Sequence, residues 1–393
     1  ARLDPILYTF NRQEANCTMT TGFTELGMTD VASRSRSGFI FKAALWVALV
    51  IVIYVITRNY LYLQDGMLDP NFTIIHRAYN FNLMEFPLIL LGVSLLFLGL
   101  AVTWTSSRRS LICVAGIYAF LGLDLYALRY YVTYVEPERL VLRQVRLETP
   151  KLDQPLRILH IADIQAGAIE AYQNEIFERI ESLQPDIIIN TGDFLQVVAP
   201  ATFESEWTKL HALIKRVNPR LGTYAVFGDT ERELYRYKAD ALEPLVMLSS
   251  RDQRIEVGAG ALNLHGLSLY QSKSAEWAMR SIEQWLEQSN PNDFRILFGH
   301  SPNYALAVAE SPIDLCLAGH THGGQVNLPF YGPLVIDSDV PAEWAKGFRR
   351  VGIPYLNVSA GVGSNRRHGL PPLRFNCPSE MTMIELVPMR PIL

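Results

Sequence analysis

Two histidines one residue apart, His320 and His322, follow an apolar run at 313–318 and stand among glycines in Gly319-His320-Thr321-His322-Gly323-Gly324-Gln325. Another Gly-His pair, Gly299-His300, ends the apolar run at 294–298. Imidazoles set this closely at the ends of buried runs suit the holding of one or two metal ions better than they suit core packing. Such a centre needs acidic partners, and these lie upstream. The run at 157–162 leads into Asp163-Ile164-Gln165, that at 186–190 into Thr191-Gly192-Asp193, and that at 224–227 into Gly228-Asp229-Thr230-Glu231. Glycine beside the ligand permits a tight turn and a close approach to a cation.

The runs are short and rich in β-branched and aromatic residues, and helical periodicity fills the gaps between them, at 170–183, 203–217 and 274–288. Five strands that each deliver a carboxylate or imidazole just past their C-terminal ends predict an α/β fold with its site at that edge of the sheet. His160 and His265 lie inside strand-like runs and read as core histidines. His211 lies on the second helix and His76 in a loop without a partner at ligand spacing. The four cysteines show no C-x-x-C spacing, and a Cys316–Cys377 disulfide stays open.

The ordered set Asp163-x-Gln165, Gly192-Asp193, Gly228-Asp229-Thr230-Glu231, Gly299-His300 and Gly319-His320-Thr321-His322 resembles the calcineurin-like metallophosphoesterases, whose pattern is D-x-H, G-D, G-N-H-[D/E], H, G-H-x-H. The tail is similar to the membrane-linked bacterial phosphodiesterases of that superfamily, through Gly323-Gly324-Gln325-Val326, Val358-Ser359-Ala360-Gly361-Val362-Gly363, Pro372-Leu373-Arg374 and Pro378-Ser379-Glu380. The resemblance implies a four-layer α-β-β-α sandwich with two divalent metal ions at its edge. It implies one ion held by Asp163, Gln165, Asp193 and His322, and a second by Asp193, Asp229, His300 and His320. It further implies hydrolysis of a phosphoester by a metal-bound hydroxide, with Asp193, Asp229, Thr230 and His300 at the catalytic positions. Arg374, in the family-like tail, is the expected substrate-phosphate ligand. Arg366 and Arg367 are weaker candidates for that part.

Three departures fall on site positions. Gln165 replaces the His of D-x-H, and Asp229-Thr230 replaces Asn-His. Both ligand changes enrich the cage in oxygen, which favours Mn²⁺ or Mg²⁺ over Zn²⁺, with Fe²⁺ also open. Thr230 cannot supply a proton near neutral pH, and general-acid help is worth roughly two to four powers of ten in rate. Glu231, Glu233 and His368 are candidates to replace it.

The first third of the chain is apolar. Runs at about 39–57, 83–104 and 111–132 each have the roughly 20 residues that cross a bilayer. They predict a multi-pass membrane domain at 38–135, after a polar and disordered segment at 1–37. A linker at 136–154 then leads to the catalytic domain at 155–393. Arg34, Arg36 and Lys42 flank the first span, and Arg108 and Arg109 occupy the short second connection, whereas the loop at 58–82 carries Asp65 and Asp69. Positive-inside reasoning then places the catalytic domain on the outer, periplasmic or external, face of the cell membrane.

A net charge of −4, without a basic stripe, argues against nucleic-acid partners. The function expected is that of a membrane-anchored phosphodiesterase or pyrophosphatase acting on an envelope or lipid-linked substrate. Two alternatives stay open: a phosphomonoesterase on the same scaffold, and a non-catalytic protein that binds metal or phosphate.

Overall fold

The computed structural model describes residues 22–68, 72–366 and 370–389, with side chains described outside 22–37 and 66–68. The chain divides into two compact units. One holds the residues up to Ile56 together with Leu88–Gly122, and the other holds Thr57–Pro87 and everything from Leu123 on.

Four helices open the chain: α1 (Gly22–Leu68), α2 (Thr73–Asn80), α3 (Phe86–Thr103) and α4 (Arg108–Tyr130). Three stretches are long and apolar enough to cross a membrane, Gly38–Asp65, Thr73–Thr103 and Thr105–Val135. Within the first unit Ser94 donates to the Ala115 carbonyl (2.8 Å) and Phe97 stacks on Tyr118 (5.9 Å). Trp46, Leu95 and Phe120 stay about two-thirds exposed (67%, 68% and 68%), an apolar exterior that suits lipid rather than water.

Two expectations for this region change. Helix α1 begins at Gly22, so the segment read as a disordered lead is helical from there on, while residues 1–21 lie outside the described residues. The stretch at 58–82, read as a polar loop, is mostly helix, because α1 runs on to Leu68 and α2 follows. Tertiary packing accounts for this: Ile74, Ile75 and Tyr79 are buried with Phe72, Val132 and Leu373 in one apolar cluster, which outweighs the local polarity.

The second unit carries two six-stranded sheets. In chain order its elements are β1 (Leu140–Thr149), β2 (Leu156–Ile161), α5 (Ala171–Leu183), β3 (Ile187–Asn190), α6 (Phe203–Arg216), β4 (Thr223–Ala225), β5 (Leu245–Met247), β6 (Arg251–Val257) and β7 (Gly260–Gly266). Then come α7 (Leu269–Ser272), α8 (Ala275–Gln288), β8 (Phe294–Phe298), β9 (Leu315–Ala318), a small hairpin of β10 (Asn327–Leu328) and β11 (Gly332–Pro333), β12 (Gly347–Arg350), β13 (Tyr355–Val358) and β14 (Ser379–Pro388). The first sheet runs β1-β14-β2-β3-β4-β5 and the second β12-β13-β9-β8-β7-β6. Much of the expected linker is strand β1. Its second half alternates Val145, Leu147 and Thr149, turned inward, with exposed Gln144, Arg146 and Glu148, the period of two that a strand needs, and it pairs parallel with β14 over its whole length.

Strand β3 shows how the layers arise. Ile187 and Ile189 point between the sheets, against Leu264, Ile296 and Leu317, while Ile188 points outward against Ile176 and Leu210 of α5 and α6. Helix α8 covers the outer face of the second sheet through Ala278, Ile282 and Trp285. The result is the expected α-β-β-α order. Cys316 and Cys377 are both free thiols.

Leu317 is wholly buried between the sheets. Replacing it with alanine is expected to cost about 2–5 kcal/mol, read as a lower denaturation midpoint of the full-length protein.

Candidate metal centre

The strands that carry the site run parallel within each sheet, so their C-terminal ends share one edge. From the first sheet β2, β3 and β4 deliver Asp163 with Gln165, Asp193, and Asp229. From the second, β8 and β9 deliver His300, and His320 with His322. The ligand atoms of Asp163, Asp193 and His322 lie within 4.8 Å of one another, as do those of Asp229, His300 and His320. Asp193 joins the two groups, with an Oδ1 3.5 Å from His300 Nε2. All seven residues expected from the sequence to hold metal therefore meet at one place.

The backbone is strained to bring them there. Asp163, Gln165, Asp193, His320 and His322 all take positive φ, between 33° and 71°, a region that residues with a Cβ rarely adopt. Glycine is required at two adjoining positions. A Cβ at Gly228 would fall 2.1 Å from Asp193 Oδ1, and one at Gly319 would fall 2.7 Å from Asp163 Oδ2.

Surrounding groups aim each ligand. His300 Nδ1 pairs with the Thr191 carbonyl at 2.8 Å, which leaves Nε2 directed at Asp193 and Asp229. His320 Nε2 pairs with the Asp337 carbonyl at 3.0 Å, so Nδ1 faces Asp229 Oδ2 at 3.2 Å. The His320 amide donates to both Asp163 oxygens at 3.1 Å. Fixing one ring nitrogen on a carbonyl is how proteins set the tautomer of a ligating histidine.

Whether these residues suit cations can be judged from what they leave unpaired. Both ring nitrogens of His322, buried to 1% exposure, lack a hydrogen-bond partner, as does the buried Gln165 carbonyl oxygen. Buried polar atoms are almost always paired, so an unpaired imidazole and an unpaired amide oxygen beside one carboxylate pair suit the binding of a cation. The protonation balance agrees. Burial, with the nearby Arg374 and histidine charges, holds His322 well below the usual imidazole range, and burial raises Asp163. Burial also disfavours the charged form of His300, but Asp193 and Asp229 outweigh it and push the ring up to about 10. The residues present fit a pair of divalent ions.

Thr230 lies against Asp193, its amide 3.1 Å and its hydroxyl 3.3 Å from Oδ1. Glu231 is buried and accepts from the Phe194 and Gly228 amides, so it clamps the two ligand loops together rather than facing substrate. Glu233 is exposed, and His368 and Arg367 lie outside the described residues. Arg374 corrects an expectation. It is wholly buried, and its guanidinium is spent on the carbonyls of Ala360, Gly361, Gly363 and Cys377, so it braces the ligand loops and does not reach substrate. Arg366 instead lines a cavity of about 490 Å³ beside Gln165, Tyr172 and Ser364, and among the described residues it forms no salt bridge. His160, between Thr191 and Asn357, and His265, on Ser281 and Trp285, are core histidines as expected.

Sequence reasoning missed Lys273, whose ammonium stands 2.6 Å from Asp229 Oδ1. It lies in the stretch between α7 and α8, with no motif to mark it.

Arg374→Met is expected to lower the unfolding midpoint and the metal content together, since buried carbonyls lose charged donors worth about 1.5–3 kcal/mol each. A change in KM alone would contradict the bracing role. Stability of the metal-free protein is expected to fall as pH rises from about 6.5 to about 8. Burial and the Asp193 charge raise Glu231 to about 8, and His300 titrates higher still, so over this window the folded state holds protons that the unfolded state has lost. His160, His265 and His322 have lowered values and are neutral in both states above pH 6.5, so they do not oppose the trend. Thermal unfolding with and without Mn²⁺ checks this, because cation binding to deprotonated ligands should reverse the slope.

The calcineurin-like phosphoesterase family model matches residues 156–324, the span that carries all of these ligands. The chain is 30% identical over 201 residues to the metallophosphoesterase YkoQ of Bacillus subtilis, covering 48% of this chain and 71% of that protein. It is 27% identical over 265 residues to YkuE of the same organism, a match that covers 65% of this chain and 88% of the relative. With the phosphodiesterase YaeI of Escherichia coli it shares 26% identity over 271 residues, 65% of this chain and 92% of the other. With its carboxylates and imidazoles gathered at one sheet edge, the chain belongs to the calcineurin-like metallophosphoesterases and is a hydrolase of phosphoester bonds.

Proposed function

We propose that the protein is a membrane-anchored phosphodiesterase or pyrophosphatase that uses two divalent cations, with Mn²⁺ favoured, on an envelope or lipid-linked substrate. The observation that carries this reading is the pair of adjoining ligand groups, with the unpartnered nitrogens of His322 at one of them. Asp163, Gln165, Asp193 and His322 would hold one ion, and Asp193, Asp229, His300 and His320 the other. Bound there, divalent cations neutralise phosphoryl charge and acidify water for attack at phosphorus.

The chain's own groups have distinct tasks. Asp193 sits between both cages and positions Thr230, which donates to it. Thr230 offers a hydrogen bond but no proton of suitable pKa, which favours substrates whose leaving group needs none. Lys273 offsets the negative charge that Asp229 adds where the family has a neutral asparagine. Arg366, at the cavity beside Gln165, has the planar donor fork that binds a phosphate in bidentate fashion, and its lowered pKa comes from burial opposed by Glu170. The three long apolar stretches are taken to cross the cell membrane and to leave this domain on its outer face.

The test uses the full-length protein in detergent, stripped of metal and titrated with Mn²⁺ against bis(p-nitrophenyl) phosphate and p-nitrophenyl phosphate. Diester turnover should rise with metal, exceed monoester turnover, and fall by roughly three powers of ten or more in Asp193→Asn, given the weight of metal-borne charge stabilisation. Thr230→Ala should retain turnover to within about tenfold, because it removes a hydrogen bond rather than a general acid. Bound metal without turnover of either ester would overturn the proposal.

A further inference from the structure

A second cavity, of about 340 Å³, lies within the larger unit and is different in kind from the one beside Gln165. Its walls are hydrocarbon. Tyr62, Ile75 and Leu83 come from the helices, and Val326, Leu334 and Phe375 come from the catalytic domain. The polar groups around it are already satisfied. Asn59 and Asn82 exchange hydrogen bonds at 3.0 and 2.7 Å, and the Tyr79 hydroxyl accepts from Arg129 and meets Thr133. A cavity with so little left to pair with water or with a polar head favours an apolar occupant.

Its position says where that occupant comes from. Every helical residue in its wall belongs to one of the stretches long and apolar enough to span a bilayer, Gly38–Asp65, Thr73–Thr103 or Thr105–Val135. Leu83 and Val132 are presented by five-residue π-helical turns, Phe81–Glu85 and Tyr131–Val135, a local widening often kept where helices serve function. The opposite wall belongs to the metal centre's own loops. Val326 follows His322 by four residues and bonds through its carbonyl to Leu334, and Leu373 adjoins Arg374, whose amide donates to Val132. Phe72 joins the two places, buried in the same apolar cluster with its ring edge-on to the His322 ring at 6.0 Å. A peptide helix is too large to enter, since one turn fills roughly 500 Å³ for a cylinder 10–12 Å across.

We infer that this cavity receives the hydrocarbon chain of a membrane lipid whose phosphoester head group is the substrate of the adjacent metal centre. The head group's part rests on the phosphoesterase reading above; the chain's part rests on the cavity alone. The lipid stays seated among the helix ends while its head reaches past Phe72 to the ligand loops, so hydrolysis needs no extraction of the chain into water.

Two measurements on the full-length protein test this. In the first, phosphodiesters of one head group and increasing acyl length, short enough to stay monomeric in water, are compared on the protein held in amphipol. The kcat/KM should rise about three- to fourfold per methylene until the cavity is filled, the equivalent of about 0.8 kcal/mol per buried CH₂. Ala78→Trp, which places a large ring in the cavity wall, should flatten that series and lower the ratio of long-chain to bis(p-nitrophenyl) phosphate kcat/KM at least tenfold. In the second, the unmodified protein in nanodiscs is irradiated with a phospholipid that carries a diazirine on its acyl chain. Labelled peptides should fall in 73–83 and 326–334. Should Ala78→Trp fail to fold, Leu83→Gln serves in its place and should weaken the labelling. Hydrolysis that ignores chain length, or labelling confined to the outer faces of the helices, would overturn the inference. Labelling in the cavity without turnover of any diester would sink the enzymatic reading and leave the lipid site standing.

Discussion

Burial of carboxylates and imidazoles side by side is the condition on which the rest of this structure depends. Asp163, Asp193, His300 and His322 are all but sealed from water. Carboxylates so close together are costly without a countercharge, by several kcal/mol per ion after relaxation. The protein meets that cost partly with backbone donors, such as the His320 amide on Asp163, and leaves the remainder for cations. The positive φ values at five ligand positions belong to the same bargain, since strain of order 1–3 kcal/mol per residue persists only where the surroundings enforce it.

The two sheets divide the chemistry between them. The first brings the carboxylates and Gln165, and the second brings all three imidazoles. Neither ligand group is complete within one sheet, so the inter-sheet core of Ile158, Ile189, Ile296 and Leu317 sets the ligand spacing as well as the stability. Hydrogen bonds that cross between the sheets at the edge, from His300 to the Thr191 carbonyl and from the His320 amide to Asp163, hold the register there.

The departures from the family pattern are locally compensated. Asp229 brings a charge where the family has none, and Lys273 stands against it. Gln165 keeps an oxygen free while its amide nitrogen donates to Asp193. Thr230 keeps the contact with Asp193 but not the proton chemistry of an imidazole. The helix ends that adjoin these loops are packed in the same unit as the catalytic domain, so the long apolar stretches and the metal-centre loops share one apolar cluster around Phe72.

By itself the sequence showed the five strands that end at the site, the helices between them and, through its resemblance to the family pattern, the seven side chains that the structure brings together. Periodicity and strand-end glycines are local properties, and local spacing is enough to reveal them. It also disclosed the three apolar stretches, because length and hydropathy need no partner. Only the tertiary structure decided the rest. Arg374 and Arg366 look alike in the chain, yet one is buried among carbonyls and the other lines a cavity, a difference made by loops packing from distant positions. Lys273 reaches Asp229 across 44 residues, and β1 is a strand because β14, more than two hundred residues later, pairs with it. The helix at 73–80, read as loop, exists because Ile75 and Tyr79 find apolar partners such as Val132 and Leu373 far along the chain. Contacts of that kind are set by the packing of the whole chain, and no local window of residues contains them.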